Sequence, residues 1–313
     1  MAFLPGQAPP RSAVVLVNPG ARRGGDAIDG ILARLRAGGI RVREAGLGAP
    51  GEIERHIRGD GDPPADCAIV CGGDGSLCLA APGLLATGAT LGILPMGTAN
   101  DLARTLGIPD DLEAAADLVL AGRRRRIDLG TVNGQPFFNV ASIGLSVELA
   151  RELSGELKRR WGRAGYALAA LRALARAERF SATVTEGDTT HRSRTLQIAV
   201  GNGRFYGGGT VVAEEAAIDD GHLDLYSLEF GNVLKLALML KSFRTGAHGA
   251  FSEVRTLRGT EFEIRTRRPR PVNADGELIA ETPAVFKVHP AAITVFAPPR
   301  QDAEADAEAD PAP

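Results

Sequence analysis

No stretch of this 313-residue chain reaches the roughly 20 apolar residues that a membrane-spanning helix needs. Residues 1–13 contain Pro and Gly but no long apolar run, so no secretory signal peptide is expected. Cysteine is scarce: Cys67, Cys71 and Cys78 cluster around one apolar run, at spacings that fit no zinc site. An odd, clustered trio suits reduced thiols in the cytosol. Lysine is nearly missing as well, with only Lys158, Lys235, Lys241 and Lys287, and arginine carries the basic charge. The formal net charge of -2 argues against a dedicated nucleic-acid binder. No Gly-x4-Gly-Lys-Ser/Thr occurs, which excludes a P-loop enzyme. The run Gly73-Asp74-Gly75-Ser76-Leu77-Cys78 imitates a dinucleotide fingerprint but lacks its third glycine, which weakens that reading.

Glycine, by contrast, is plentiful at 39 residues, a sign of many tight turns and close backbone approaches. The chain is long enough for two compact domains. Its first part alternates strand and helix patterns. Ala13–Val17 is an apolar run ending at Asn18-Pro19-Gly20, and Ala27–Ala37 has helical periodicity through Ile28, Ile31, Leu32 and Leu35. A short strand over Arg41–Glu44 and a helix around Ile53–Ile57 follow. Asp66–Cys71 then runs into Gly72-Gly73-Asp74-Gly75-Ser76, and Thr90–Leu94 into Pro95-Met96-Gly97-Thr98-Ala99-Asn100-Asp101. Such alternation predicts a parallel sheet covered by helices, with ligands at the carboxyl ends of its strands. All three glycine-bearing loops follow strands and are expected on one edge.

After Arg123–Arg126, read as a solvated domain boundary, the pattern changes to short strands: Ile127–Val132, Phe137–Ala141, Ala182–Thr185, Leu196–Gly201, Leu223–Leu228, Ser252–Leu257, Glu261–Thr266, Pro271–Ala274 and Ala284–His289. Helical stretches are expected at Val147–Arg179 and Val233–Arg244. The domain expectation is therefore residues 12–126 as an α/β nucleotide-binding domain, completed by residues near 290–298, and residues 127–289 as a β-rich, sandwich-like second domain. The stretch 300–313 alternates Ala with acids and reads as a disordered tail. Removing Gln301–Pro313, which carries five acids and no base, takes the formal charge from -2 to +3, so the body is mildly basic.

Two loops and two acidic turns carry candidate chemistry. Glycines in Gly72–Ser76 let backbone approach a phosphate, and the following helix start offers unpaired N–H groups. Asp74 suits such a loop if it organises Mg²⁺ or water; the alternative is a tight turn with Asp as a helix cap. In the second loop Thr98 can bond a phosphate oxygen and Asn100 a phosphate or a metal-bound water, or else Asn100 or Asp101 caps the helix through Leu106. Asp275-Gly276-Glu277 offers two carboxylates about a sharp turn, or is a plain Asp-Gly hairpin. Asp219, Asp220 and Asp224 bracket Gly221, and their mutual repulsion calls for a cation or solvent.

Taken in order, these motifs resemble those of the diacylglycerol kinase catalytic-domain family, which includes bacterial lipid kinases and the sphingosine and ceramide kinases. The resemblance rests on Asn18-Pro19, Gly72–Ser76, Leu94–Asp101, Gly201-Asn202 with Gly207–Gly209, Asp219–Asp224 and Asn273–Glu277, and covers residues 12–298. It implies a phosphofructokinase- and NAD-kinase-like α/β domain, and an ATP- and Mg²⁺-dependent enzyme that phosphorylates a lipid hydroxyl. By resemblance, the nucleotide site comprises Asn18, Pro19, Gly20, Ala21, Arg22, Gly72, Gly73, Asp74, Gly75, Ser76, Leu77, Cys78, Thr98, Asn100 and Glu277. Asp275 is implied as general base, and Asp219, Asp224 and the main-chain carbonyl of His222 as ligands of a structural Mg²⁺. Four residues at three places depart from the family. Gly20-Ala21 follows Asn18-Pro19 where a Ser-Gly pair is usual, Ser76 stands for Thr, and Cys78 stands for Asn.

A lipid acceptor implies a cytoplasmic protein that meets the inner face of the membrane transiently. Glu148–Phe180, with Arg151, Lys158–Arg160, Trp161 and Tyr166, suits an interfacial segment, or else an ordinary helix pair with a solvated Arg face. The rival readings are an NAD-kinase-like enzyme with a soluble substrate and a non-catalytic nucleotide- or lipid-binding regulator.

Overall fold

A computed structural model of the chain describes residues 8–18, 25–59, 62–145, 147, 178–203, 205–206, 210–211, 217–229 and 254–299. Pro19–Arg22, Gly207–Gly209, nearly all of the helical stretch expected at Val147–Arg179, the one at Val233–Arg244, and the acidic tail lie outside them. The chain divides into two units. Unit 1 comprises Met1–Ile127 with Ala291–Pro313, and unit 2 comprises Asp128–Pro290.

Unit 1 begins β1 (Ser12–Val17), α1 (Gly25–Ala37), β2 (Arg41–Gly46), α2 (Pro50–Arg58), β3 (Cys67–Gly72), α3 (Asp74–Thr87) and β4 (Thr90–Pro95). There follow α4 (Asp101–Leu106), α5 (Leu112–Ala121) and the start of β5 (Arg124–Val132). The strands stand in the order β2-β1-β3-β4, all parallel. Every residue of β3 and β4 is buried, as expected for strands covered on both faces. The connection from β1 moves to one side and that from β3 to the other, so right-handed crossovers send α1 and α3 to opposite faces. Accordingly α1 packs with α5, and α2 with α3. Helix α3 is apolar on nearly every side, and Gly83 lets α2 lie against it: a Cβ there would stand 3.2 Å from the Glu54 nitrogen. Helix α5 is capped by Asp111, whose Oδ1 accepts the Ala114 N–H at 2.8 Å. Arg123–Arg126 lies just ahead of the division at Ile127, with Arg123 and Arg126 exposed, as the reading of a solvated boundary expects. Arg124–Arg126 open β5, and the Arg124 guanidinium lies 5.3 Å from the Phe296 ring centroid.

Unit 2 adds β6 (Gln135–Phe137), β7 (Val140–Gly144), β8 (Phe180–Glu186), β9 (Thr189–Thr195), β10 (Gln197–Gly201), β11 (Phe205–Tyr206), β12 (Thr210–Val211), β13 (Leu223–Leu228), β14 (Val254–Gly259), β15 (Glu261–Thr266), β16 (Pro271–Ala274), β17 (Glu277–Glu281) and β18 (Ala284–Phe296). One antiparallel sheet has the order β14-β13-β10-β7-β16-β17. A second layer runs β18-β15-β8-β9, also antiparallel, with the β5–β6 hairpin turning at Asn133-Gly134. Ile143, Ile198, Val200, Leu225 and Val272 of the first sheet share one core with Phe180, Val184, Phe262, Ile264 and Phe286 of the second. Unit 2 is therefore a β-sandwich held by apolar burial between its layers. Two strands carry the chain across the division, β5 outward and β18 back, and Val295 of β18 pairs with Leu91 of β4.

Candidate functional site

In unit 1 the carboxyl ends of β1, β3 and β4 lie side by side, and the topology switches direction between β1 and β3. The three loops meet there. The Asn18 N–H donates to the Cys71 carbonyl at 3.2 Å, and its Nδ2 donates to Ser76 Oγ at 2.9 Å. The Met96 N–H donates to the Gly72 carbonyl at 3.0 Å. Gly73 and Gly97 touch backbone to backbone: a Cβ on Gly97 would stand 2.5 Å from the Gly73 Cα and 2.7 Å from Asn100 Oδ1. A side chain on Gly72 would collide with Ser76. These three glycines are thus needed for contact between the loops. Gly75 is different, because no atom of the described residues lies within 4 Å of where its Cβ would be. It leaves the first turn of α3 open to an incoming group such as a phosphate.

Asp74 answers why an acid stands in such a loop. Its Oδ2 accepts the Asp101 N–H at 3.1 Å and its Oδ1 the Leu102 N–H at 3.0 Å, so it caps α4 from 27 residues away. Asn100 occupies the N-cap position of α4 but makes no cap bond, and Asp101 is a residue of the helix itself. The expectation that one of them caps this helix is corrected. Asn100 instead has φ 50° and its Oδ1 accepts the Gly97 N–H at 2.9 Å. Thr98 is exposed beside Gly97, Cys78 is half-buried on α3, and Leu77 points into the core at 2% exposure. Burial pushes the thiols of Cys67 and Cys71 up to about 12.

In unit 2, Asp275 (φ 47°) and Gly276 (φ 100°) form the two-residue turn between β16 and β17. Both positive φ values suit the hairpin turn that Asp-Gly favours. The Asp275 carboxylate does more than turn the chain. It accepts the N–H groups of Phe138 at 2.6 Å, Asn139 at 3.1 Å and Val140 at 3.0 Å, and the Asp275 N–H donates to the Val140 carbonyl at 3.0 Å. The segment is gripped from its other side by Asn202, whose Nδ2 donates to the Phe138 carbonyl at 2.8 Å and the Asp128 carbonyl at 3.1 Å. Glu277 is exposed at the start of β17.

The acidic turn before β13 sorts its carboxylates. Asp220 pairs with Arg258 at 2.9 Å and accepts the N–H groups of His222 and Ala217. Its repulsion with its neighbours is thus relieved partly by a guanidinium from β14. Nδ1 of His222 lies 2.8 Å from the Asp220 carbonyl, so the imidazole is bound to the turn itself. Half-buried Asp219 and Asp224 flank it. Among the described residues no three or more His, Cys, Asp or Glu side chains converge as a metal site. A cation here would have two carboxylates and main-chain oxygen, hard donors that suit magnesium. One residue of this region is not singled out by motif: Asp128, 1% exposed, whose Oδ2 accepts the Gly221 N–H at 2.6 Å. Its signal in the sequence is an acid inside the apolar run Ile127–Leu129.

Comparison with known proteins covers both halves of the chain. Residues 12–132 match the model of the diacylglycerol kinase catalytic domain, and residues 139–297 that of the YegS C-terminal NAD kinase beta sandwich-like domain. A Pseudomonas aeruginosa protein named "Probable lipid kinase YegS-like" is 32% identical over 92% of this chain and 95% of its own. A Mycobacterium tuberculosis diacylglycerol kinase is 32% identical over 90% of this chain and 94% of its own. A solved structure from Bacillus anthracis, 25% identical, superposes with a TM-score of 0.77 over 96% of this chain and 99% of its own. A second from that organism, described as a diacylglycerol kinase, shares the fold at 22% identity with a TM-score of 0.71, over 94% of this chain and 99% of its own. Matched in both domains and across nearly its whole length, the chain belongs to the diacylglycerol kinase catalytic-domain family of lipid-kinase-like enzymes.

Proposed function

We propose that this protein transfers the γ-phosphoryl group of ATP to the hydroxyl of a lipid alcohol, a diacylglycerol or a sphingoid-like acceptor, at the cytoplasmic face of the membrane. The observation that carries the reading is the meeting of three strand-end loops in unit 1, with the first turn of α3 left open at Gly75. Asn18, Gly72–Ser76, Thr98 and Asn100 bind the nucleotide there. The N–H groups at the start of α3 receive its phosphates, and Pro19–Arg22, which lie outside the described residues, are assigned to the same site by resemblance alone. Asp74 acts by holding the start of α4, and hence the Thr98–Asn100 loop, in register with α3. Leu77, 2% exposed, supports this site from the core.

Phosphoryl transfer asks the protein chiefly for positioning and charge stabilisation. A carboxylate must also take the proton of the acceptor hydroxyl, and Asp275 fills that role in our reading. Three backbone N–H groups fix where its oxygens point, and Glu277 stands beyond the same turn. Asp219 and Asp224, with the carbonyl of His222, hold magnesium in the acidic turn, where the ion supplies positive charge that keeps the carboxylates together. None of the described helices is long and apolar enough to cross a membrane, so in this reading the enzyme reaches its lipid by peripheral contact.

The test is transfer of label from γ-labelled ATP, with Mg²⁺, to a panel of lipids in neutral detergent micelles and to NAD. Label in an organic-extractable lipid supports the proposal and identifies the acceptor class. Label in NAD, or binding of ATP without transfer to any lipid, overturns it.

A further inference from the structure

The second layer of unit 2 presents an outward face that the nucleotide and base assignments leave unused. Register fixes its composition. On β9 the outward positions are Thr190, Arg192 and Arg194; on β8 they are Ser181, Thr183 and Thr185; on β15 they are Glu261, Glu263 and Arg265. Arg192 stands opposite Thr183, and Thr183 opposite Arg265, so two arginines flank one hydroxyl at about 10 Å from each other. Arg194 stands opposite Ser181 in the next outward row. Exposed Arg267 and Arg268 follow β15 at that end of the sheet. Their turn is pinned by Thr266, whose Oγ1 donates to the Arg268 carbonyl at 2.7 Å and also meets Thr282 Oγ1. Arg265 pairs with Glu263 at 2.6 Å, whereas Arg192, Arg194, Arg267 and Arg268 enter no ion pair among the described residues.

Edge protection explains charges on β9, the last strand of its sheet. It does not explain Arg265 on an interior strand or the pair beyond it. We infer that this arginine end of the face is the surface by which the protein docks on an anionic bilayer; the inference rests on the lipid-kinase reading. Low Ser and Thr side chains between the guanidiniums leave them proud of a sheet surface, a geometry that meets many headgroup phosphates at once. The same face turns acidic at Glu261 and Glu263, with Lys287 pairing Glu261 at 3.1 Å. A nucleic-acid strand tracking along the sheet would meet those carboxylates. A bilayer touched by the arginine end alone does not. The outward positions of β8, β9 and β15 carry no aromatic side chain for base stacking either.

The experiment is co-sedimentation of the full chain with phosphatidylcholine vesicles, with and without phosphatidylglycerol. It compares the unsubstituted protein with the quadruple variant Arg192→Gln, Arg194→Gln, Arg267→Gln and Arg268→Gln. A control removes four exposed arginines of unit 1: Arg36, Arg55, Arg58 and Arg104. Binding is expected to need phosphatidylglycerol, to weaken with salt, and to fall on the order of a hundredfold in the unit 2 variant, with a much smaller change in the control. Equal loss in both variants, undiminished binding in the unit 2 variant, or no dependence on phosphatidylglycerol overturns the inference. So does displacement of the vesicles by an equal charge of duplex oligonucleotide. Unchanged thermal unfolding of the unit 2 variant verifies that it is folded. Label transfer in neutral detergent micelles separates the two readings: intact transfer with failed docking leaves the kinase reading standing, and docking without transfer leaves this one standing.

Discussion

Replacing Asp275 by Asn tests two roles of one carboxylate at once. Asn adopts positive φ about as readily as Asp, so the turn itself is not strained by the change. What changes is the count of acceptors. Three N–H groups now converge on two carboxylate oxygens, Phe138 on Oδ2, Val140 on Oδ1 and Asn139 on both. An amide offers one oxygen and turns an NH₂ group toward whichever donor is left over. Phe138, Asn139 and Val140 are all buried, so water is poorly placed to replace the lost acceptor. One orphaned buried donor, one weakened bond and the loss of charge assistance cost about 2–4 kcal/mol. For a domain of this size that lowers the unfolding midpoint by about 5–15 °C. The assay pairs thermal unfolding, followed by circular dichroism, with ATP binding and lipid phosphorylation measured well below the transition. We expect the midpoint to fall, ATP affinity to stay nearly intact, and transfer to be abolished. An unchanged midpoint refutes the structural role argued from the three hydrogen bonds, and full transfer refutes the assignment as base.

Asp74→Ala removes the cap of α4, which costs about 1–2 kcal/mol, and is expected to abolish Mg·ATP binding and turnover by releasing the Thr98–Asn100 loop. Calorimetric titration with unchanged affinity would reject that role. Gly97→Ala forces a Cβ against Gly73 and Asn100, so both stability and nucleotide affinity should fall, by about 1–3 kcal/mol in stability. A variant of wild-type midpoint would show that the loops do not depend on this contact. Among the thiols, half-buried Cys78 should react with a disulfide reagent in the native protein at mildly alkaline pH, and Cys67 and Cys71 only on unfolding. Their folded values are raised by burial to about 12 from 9.0, so the stability they lend is full below pH 9 and is lost as pH climbs from 9 toward 12. A midpoint that rises over that window would contradict the sign.

The strands of the α/β unit were legible because β1, β3 and β4 are buried on both faces and read as unbroken apolar runs ending in glycine-bearing loops. Meeting of those loops followed from alternation alone. The partners of the acids did not, because they are tertiary. Asp74 reaches α4 across 27 residues, and Asp220 meets Arg258 only through the pairing of β13 with β14. Local spacing suggested Asn100 or Asp101 as the cap since either residue type can serve, and nothing local announces a competing carboxylate. Strand β9, Thr-Thr-His-Arg-Ser-Arg-Thr, lacks an apolar face and so lacks the alternation by which strands are recognised. Helix α5 is hidden for the opposite reason, since its run Ala114–Ala116 with Leu118–Ala121 is too uniformly apolar to show a period. The arginine run before Ile127 is exposed at Arg123 and Arg126, as its charge suggests, whereas the ring from β18 over the Arg124 guanidinium is a tertiary contact that the run does not announce.

The return of the chain through β18 has a bearing on how the protein is born. Residues Asp128–Pro290 are contiguous and can close their sandwich as soon as they clear the ribosome. The older half must wait, because the neighbour of β4 is supplied by residues near Val295, which are synthesised only after the sandwich. Until then β4 ends its sheet with a bare row of N–H and C=O groups, the kind of margin on which nascent chains stick to one another. A chain cut short just before Ala291 would keep every motif of the nucleotide loops and every acid of the sandwich. It would still carry that open margin permanently, so truncation before Ala291 should yield protein that aggregates although its site residues are all present.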